Sequence, residues 1–259
     1  MAQRWLDRWG REAQPRPPVP KPANEQDALA LLTEGEILSS ELIPWGSNYT
    51  YLVALGRQGT PECLAVYKPR RGEAPLWDFP DGTLYRRERA AYLTAQALGW
   101  DIVPLTIIRD GPHGIGSVQL FVETADLPGR RELTAAQRQQ LACIALFDLI
   151  TNNADRKGGH CLVAVDGHIW GIDHGLTFHQ QAKLRTVLYE FYREPIPPTF
   201  LRDLRALLGE AARRDALQAQ LGELLARAEV KAFFARAEQI ATSGRYPPLD
   251  YYRRPWPFF

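Results

Sequence analysis

At Asp126 to Arg131 the chain changes its periodicity, and this change constrains the fold more than any other feature of its 259 residues. Upstream, short runs rich in aromatic and β-branched residues alternate with turns carrying Gly or Pro, which is the pattern of strands. Downstream, apolar residues return at helical spacing over long stretches. Pro128 and Gly129 interrupt both patterns. The expected architecture is therefore α+β and two-lobed, with a β-rich N-lobe and a helical C-lobe meeting at a hinge near residues 119 to 130.

Within the first part a short helix is expected from Ala28 to Thr33, followed by strands at Ile37 to Ile43, Tyr49 to Leu55 and Cys63 to Lys68. Short turns between them imply an antiparallel meander. From Leu84 to Leu98 apolar residues recur every three or four positions, and Gly99 is a helix stop. Two more strands, Ile102 to Ile108 and Ser117 to Glu123, are expected around a turn at Asp110 to Gly116, which makes a five-stranded sheet carrying one helix. In the second part Thr134 and Gln137 form a capping box ahead of a helix reaching about Ile150, apolar nearly all round and hence buried. A polar loop, Thr151 to His160, leads into a hairpin with Cys161 to Val165 and Ile169 to Asp173 about an Asp166-Gly167 turn. Phe200 to about Thr242 contains no proline and predicts two or three helices. The expected domains are a proline-rich arm at 1–27, an N-lobe at 28–125 and a C-lobe at 126–259. Terminal aromatics from Tyr251 to Phe259 are expected to strap across the helical lobe.

Charge narrows the partners. Lys and Arg number 31 against 30 Asp and Glu, so a formal charge of +1 supplies no one-signed field for a nucleic acid or a stable membrane contact. Nowhere do 18 apolar residues follow one another, and Met1 to Gln14 holds no signal-peptide core. Cys63, Cys143 and Cys161 lack metal-ligand spacing, and their odd number fits reduced thiols. The expected location is cytoplasmic.

The densest chemistry is Asn152-Asn153-Ala154-Asp155-Arg156-Lys157-Gly158-Gly159-His160, followed across one hairpin by Gly171-Ile172-Asp173-His174-Gly175. Two carboxylates so placed suit a hard divalent cation and a proton acceptor, the requirements of phosphoryl transfer. Asn, Asp and Gly also cap and turn for purely structural reasons, and either half alone supports that view equally. Upstream, the turn Pro44-Trp45-Gly46-Ser47-Asn48 brings small residues where backbone N–H groups can approach phosphate oxygens, and Lys68 ends a nearby strand. Glu88, on the first long helix, is either a surface charge or a partner that fixes Lys68. Four histidines, His160, His168, His174 and His179, crowd one short stretch without regular zinc spacing. Lys183 and Arg185 follow Asp173 where a substrate-contacting segment would lie, or line a solvated face.

The order of small-residue turn, strand lysine, helix glutamate, hinge, Asp-containing loop, hairpin and Asp-containing turn is that of kinases, although neither His-Arg-Asp nor Asp-Phe-Gly occurs. The chain resembles the phosphatidylinositol 3/4-kinase-like group, most closely the type II phosphatidylinositol 4-kinases. The matching stretches are Gly46 to Val53, Leu64 to Pro69, Glu88 to Leu93, Gly116 to Glu123, Asn153 to Arg156 and Ile172 to Leu176, in order through about residues 37 to 180. Bacterial kinases of the HipA toxin type share this core more distantly and phosphorylate protein serines.

The resemblance implies an ATP-dependent kinase transferring the γ-phosphate to an unknown hydroxyl acceptor, with Mg2+ or Mn2+. It implies that Gly46, Ser47 and Asn48 cover the ATP phosphates, that Lys68 binds them and that Glu88 orients Lys68. Gln119, Leu120, Phe121 and Val122 would form the strand whose backbone recognises adenine. Asp155 would orient or deprotonate the acceptor, and Asp173 would ligate the metal. The family's second metal ligand, an asparagine five residues after the catalytic aspartate, is replaced by His160, a softer donor. The lipid kinases' cysteine-rich palmitoylated insertion has no counterpart, so a protein or small-molecule acceptor is favoured over a lipid. The alternatives are a nucleotide-binding pseudokinase and a phosphatidylinositol kinase.

Overall fold

Alternation along the first strands builds a sheet with one dry face. The computed structural model describes residues 20–44, 47–125 and 133–248. Within these, helix α1 (Glu25–Glu34) precedes strands β1 (Glu36–Ile43), β2 (Thr50–Arg57) and β3 (Thr60–Pro69). Helix α2 (Leu84–Leu98) follows, then β4 (Thr106–Gly111) and β5 (Gly114–Leu120). The five strands are antiparallel in the order β1-β2-β3-β5-β4. Val53, Leu55, Cys63, Ala65, Tyr67 and Val118 are fully buried, and α1 packs on the sheet through Ala28, Leu31 and Leu32. Burying each of these leucines contributes about 1.5–3 kcal/mol. The N-terminus of α1 is set by Asn24, whose Oδ1 accepts the Asp27 N–H at 2.9 Å.

The chain divides into two compact units, one made of the residues up to Tyr85 with Leu105–Phe121, the other of Arg86–Pro104 with Val122 onward. Most of α2, which sequence assigns to the N-lobe, thus groups with the second unit. The reason is polar and buried: Arg87 of α2 donates to the Thr177 carbonyl at 2.7 Å and to the Glu229 carboxylate at 2.7 Å, and both side chains are buried. The helix that covers the five-stranded sheet within the first unit is α1. The arm before residue 20, the expected hinge at Asp126 to Arg131 and the C-terminal aromatic strap lie outside the described residues.

The second unit is built on α3 (Ala135–Thr151), with the expected capping box: Thr134 Oγ1 accepts the Gln137 N–H, and Gln137 Oε1 accepts the Thr134 N–H. Every residue from Leu141 to Thr151 is buried. After it come the short hairpin β6 (Cys161–Val163) and β7 (Ile169–Gly171) and three helices, α4 (Pro198–Gly209), α5 (Ala211–Leu224) and α6 (Arg227–Ser243). The fold is thus an antiparallel sheet in the N-terminal part and helices in the C-terminal part. Among the described residues no helix is long and apolar enough to cross a membrane.

The fourth and fifth strands lie elsewhere than expected. Ile102 and Val103 are buried but irregular, and the supposed wide turn is instead the paired end of a tight hairpin, with Asp110 opposite Ile115 and Gly111 opposite Gly114. Gly114, at φ +93°, makes that reversal without Cβ strain.

Candidate active site

In the first unit Lys68 stands near the end of β3, opposite Ser117 of β5. Leu52, Ala54, Val66 and Lys68 share one face of the sheet and are only partly buried, whereas the alternate residues Val53, Leu55, Ala65 and Tyr67 are fully buried. Half-open apolar surface beside one ammonium group suits a ligand with a flat apolar part and an anionic part. Ser47 is exposed, and Asn48 Oδ1 accepts the Ala74 N–H at 2.8 Å, which ties the turn to the segment after β3. Gly46 lies outside the described residues. Gln119 is a ladder residue whose side chain donates to Thr106 Oγ1 at 2.8 Å. The Leu120 N–H donates to the Leu105 carbonyl at 2.8 Å and the Phe121 N–H to the Leu64 carbonyl at 3.0 Å. These two N–H groups are therefore committed to the sheet, and recognition of a base through them would break existing bonds. Val122 belongs to the second unit.

The second unit holds the carboxylates. The loop after α3 begins at Asn152, left-handed at φ 58°, and is stitched to the downstream segment by side chains and backbone. Asn152 Oδ1 accepts the Lys183 N–H, the Asn153 carbonyl accepts the Arg185 N–H, and the Arg156 N–H donates to the Arg185 carbonyl. Asn153 Oδ1 accepts the Asp155 N–H at 2.9 Å, an Asx turn that points the loop outward at Asp155. The Asp155 carboxylate lies 2.9 Å from Lys157 Nζ, and both side chains are about one-third or more exposed.

Below this rim sits a fully buried ion pair. Arg156 donates to both oxygens of Asp148, from Nε at 2.8 Å and from Nη2 at 2.9 Å, and neither side chain is exposed. Burial penalises the guanidinium charge, yet the Asp148 carboxylate outweighs it and holds the Arg156 pKa above its ordinary value. Asp148 also accepts from Asn153 Nδ2 at 2.9 Å. Sequence reasoning missed Asp148 because it took α3 as apolar all round. The available signal was a lone acidic residue inside a helix segment with no solvent-facing side, which must be paired.

Asp173 and His160 come together: His160 Nε2 lies 3.2 Å from Asp173 Oδ2. Burial lowers the His160 pKa, and the opposing pull of Asp173 does not restore it, which favours the neutral imidazole, the form that binds a metal. Adjacent ligands in an octahedral site with bonds of about 2.1 Å stand about 3.0 Å apart, so this pair fits two neighbouring positions around one divalent ion. Among the described residues no group of three or more His, Cys, Asp or Glu side chains gathers as a metal cluster. The remaining positions would fall to water and phosphate oxygens, as is usual for Mg2+. The other crowded histidines have separate structural partners: His168 bonds with Gln140 and the Asp101 carbonyl, His174 with Arg156, and His179 Nδ1 accepts the Gln181 N–H. Glu88, 3% exposed, is no surface charge: its Oε2 accepts the His174 N–H at 2.9 Å.

No protein-family model matches the chain. Protein Rv2133c of Mycobacterium tuberculosis is 39% identical over 273 residues, spanning 90% of this chain and 96% of that protein. The chain belongs to the family of Protein Rv2133c. Among solved structures, a Golgi casein kinase is similar at a TM-score of 0.53 and 15% identity, over 88% of this chain and 80% of that one. The same kinase with Mn and ADP bound also gives 0.53, at 15% identity over 85% and 76%. The proinflammatory kinase CtkA of Helicobacter pylori gives 0.51 at 13% identity, over 83% and 94%. The fold of the Protein Rv2133c family, as this chain presents it, is therefore of the atypical kinase-like kind.

Proposed function

We propose that this chain is an ATP-dependent phosphotransferase using a divalent metal, with a hydroxyl group of a protein or small molecule as acceptor. The observation that carries it is the Asp173 and His160 pair, 3.2 Å apart, at the end of the hairpin that follows the Asp155 loop. The kinase-like fold supports the same assignment, and so does a neighbour solved with Mn and ADP. The finer placement beside the phosphatidylinositol 3/4-kinase-like group rests on the six sequence blocks.

In the reaction the bond from the γ-phosphorus to the β-γ bridging oxygen breaks, the acceptor oxygen bonds to phosphorus, and the hydroxyl proton passes to the Asp155 carboxylate. Lys68 would bind the phosphates as a point charge. Asp173 and His160 would hold the ion, which when bound neutralises charge on the phosphate oxygens. Lys157, 2.9 Å from Asp155, would stand beside the incoming phosphoryl group as a second point charge. A formal charge of +1 favours a soluble acceptor over an anionic lipid.

A second reading, a nucleotide-binding regulator without turnover, draws on the same Lys157 contact, because a carboxylate engaged by an ammonium group at 2.9 Å is not free to accept from an acceptor hydroxyl. The two separate in a labelling experiment with γ-labelled ATP and Mn2+. Transfer of label to the protein or to hydroxyl compounds, lost in Lys68→Met and Asp155→Asn, supports the transferase. Nucleotide binding with no release of ADP from the wild type would refute it.

A further inference from the structure

We propose that Arg156 and Glu88 are positioning residues that clamp the peptide groups on both sides of Asp173 and so aim its carboxylate at the metal. The inference rests on the assignment of Asp173 as a metal ligand. Asp173 is left-handed, with φ 59°, a conformation that is uncommon outside glycine and that aspartate tolerates better when its flanking peptides are held.

The surroundings do so within the second unit. On the N-terminal side, the Ile172 carbonyl accepts from Arg156 Nη1 at 2.7 Å, and the Ile172 N–H donates to the His160 carbonyl at 2.9 Å. The same Nη1 reaches the His160 carbonyl at 3.0 Å, so one nitrogen ties the loop carrying His160 to the strand end carrying Asp173. Arg156 is itself immobilised by both oxygens of Asp148. On the C-terminal side, the His174 N–H donates to Glu88 Oε2 at 2.9 Å, and Arg156 Nη2 lies 2.9 Å from His174 Nε2. The backbone torsions of Asp173 are thus held from both flanks by two buried side chains that are not themselves metal donors. This is the support by which outer residues orient a ligand.

The role assigned to Glu88 differs in its chemistry from an ion pair. A backbone N–H needs an acceptor oxygen and no charge, so glutamine can replace glutamate for the clamp but not for a charge partner. The test titrates the full chain with Mn2+ alone and follows the free ion by electron paramagnetic resonance, with circular dichroism confirming the fold of each variant. Asp173→Asn should abolish the bound fraction. Arg156→Lys and Glu88→Leu should each weaken Mn2+ binding by about tenfold or more, while Glu88→Gln recovers most of the loss. Should Arg156→Lys fail to fold, the Glu88 pair of variants still decides. Wild-type affinity in Glu88→Leu, or equal loss in Glu88→Gln and Glu88→Leu, would overturn the clamp and leave Asp173 as ligand. Wild-type Mn2+ binding by Asp173→Asn, or none by the wild type, would instead overturn the metal assignment beneath it.

Discussion

Replacing Asp148 by asparagine removes the counter-charge of an arginine that is 0% exposed while leaving the side-chain volume almost unchanged. The amide keeps one acceptor oxygen, but its NH2 faces a guanidinium donor, so one of the two bonds at 2.8 and 2.9 Å becomes a donor–donor clash. Breaking a buried pair from one side costs about 3–5 kcal/mol, because the remaining charge stays buried without compensation. The Arg156 guanidinium has no route to neutrality, since its pKa is held above an already very high ordinary value. For a chain of this size such a loss lowers the midpoint of thermal unfolding by roughly 6–20 °C. Urea unfolding followed by circular dichroism gives the same quantity as a shift in midpoint. The double variant Asp148→Leu/Arg156→Met should be less destabilised than Asp148→Asn, since both charges leave together. The exposed pair Arg213 and Glu210, at 3.1 Å, is the control, and Glu210→Gln should cost about 0–1 kcal/mol. An Asp148→Asn variant as stable as that control would refute the view that Arg156 depends on its buried partner.

Other outcomes follow from particular contacts. Burial pushes the Cys63 and Cys161 thiols up to about 11 and raises Cys143 well above its ordinary value, so at pH 8 only about one part in a thousand of Cys63 and Cys161 is thiolate. Iodoacetamide should leave the native protein unlabelled at that pH, with labelling rising toward pH 11, and prompt native modification would contradict this. By linkage these thiols stabilise the fold below about pH 8.5, and that contribution disappears as pH climbs through 11. A Cβ on Gly116 would fall 2.7 Å from the Pro69 Cα, so Gly116→Val should displace the end of β3 and weaken nucleotide binding in a thermal-shift titration. Gly209→Ala, where nothing lies within 4 Å, should not. His160→Asn replaces an imidazole nitrogen by a harder amide oxygen, so the ratio of Mg2+- to Mn2+-supported turnover should rise, and an unchanged ratio would remove His160 from the metal.

Local signals in the sequence were reliable where one or two residues decide a conformation. The capping box at Thr134 and Gln137, the stop at Gly99 and the turn at Asp166-Gly167 all stand where their chemistry places them. The β4 and β5 boundaries were obscured because three glycines, Gly111, Gly114 and Gly116, and the preceding residues read as loop, although most of that stretch pairs across a tight hairpin. Asp155, His160 and Asp173 were legible as candidates, since a loop and a hairpin bring them near in sequence. The Asp148–Arg156 brace and the bond from the His174 N–H to Glu88 were not, because the first depends on how the loop folds back on the buried helix end and the second joins groups 86 residues apart in sequence. Glu88 illustrates the point: charge alone suggests solvent, while its burial at 3% follows from a backbone N–H that needs an acceptor.

The most direct measurement is 31P nuclear magnetic resonance of ATP incubated with the purified chain and Mn2+ or Mg2+, comparing wild type with Asp173→Asn. Loss of one such charge contact should lower the rate of γ-phosphate release or transfer by about 100–1,000-fold, with the melting temperature nearly unchanged. Equal conversion of ATP by the two proteins, or no conversion by the wild type with either metal, would contradict the assignment of this chain as a metal-dependent phosphotransferase.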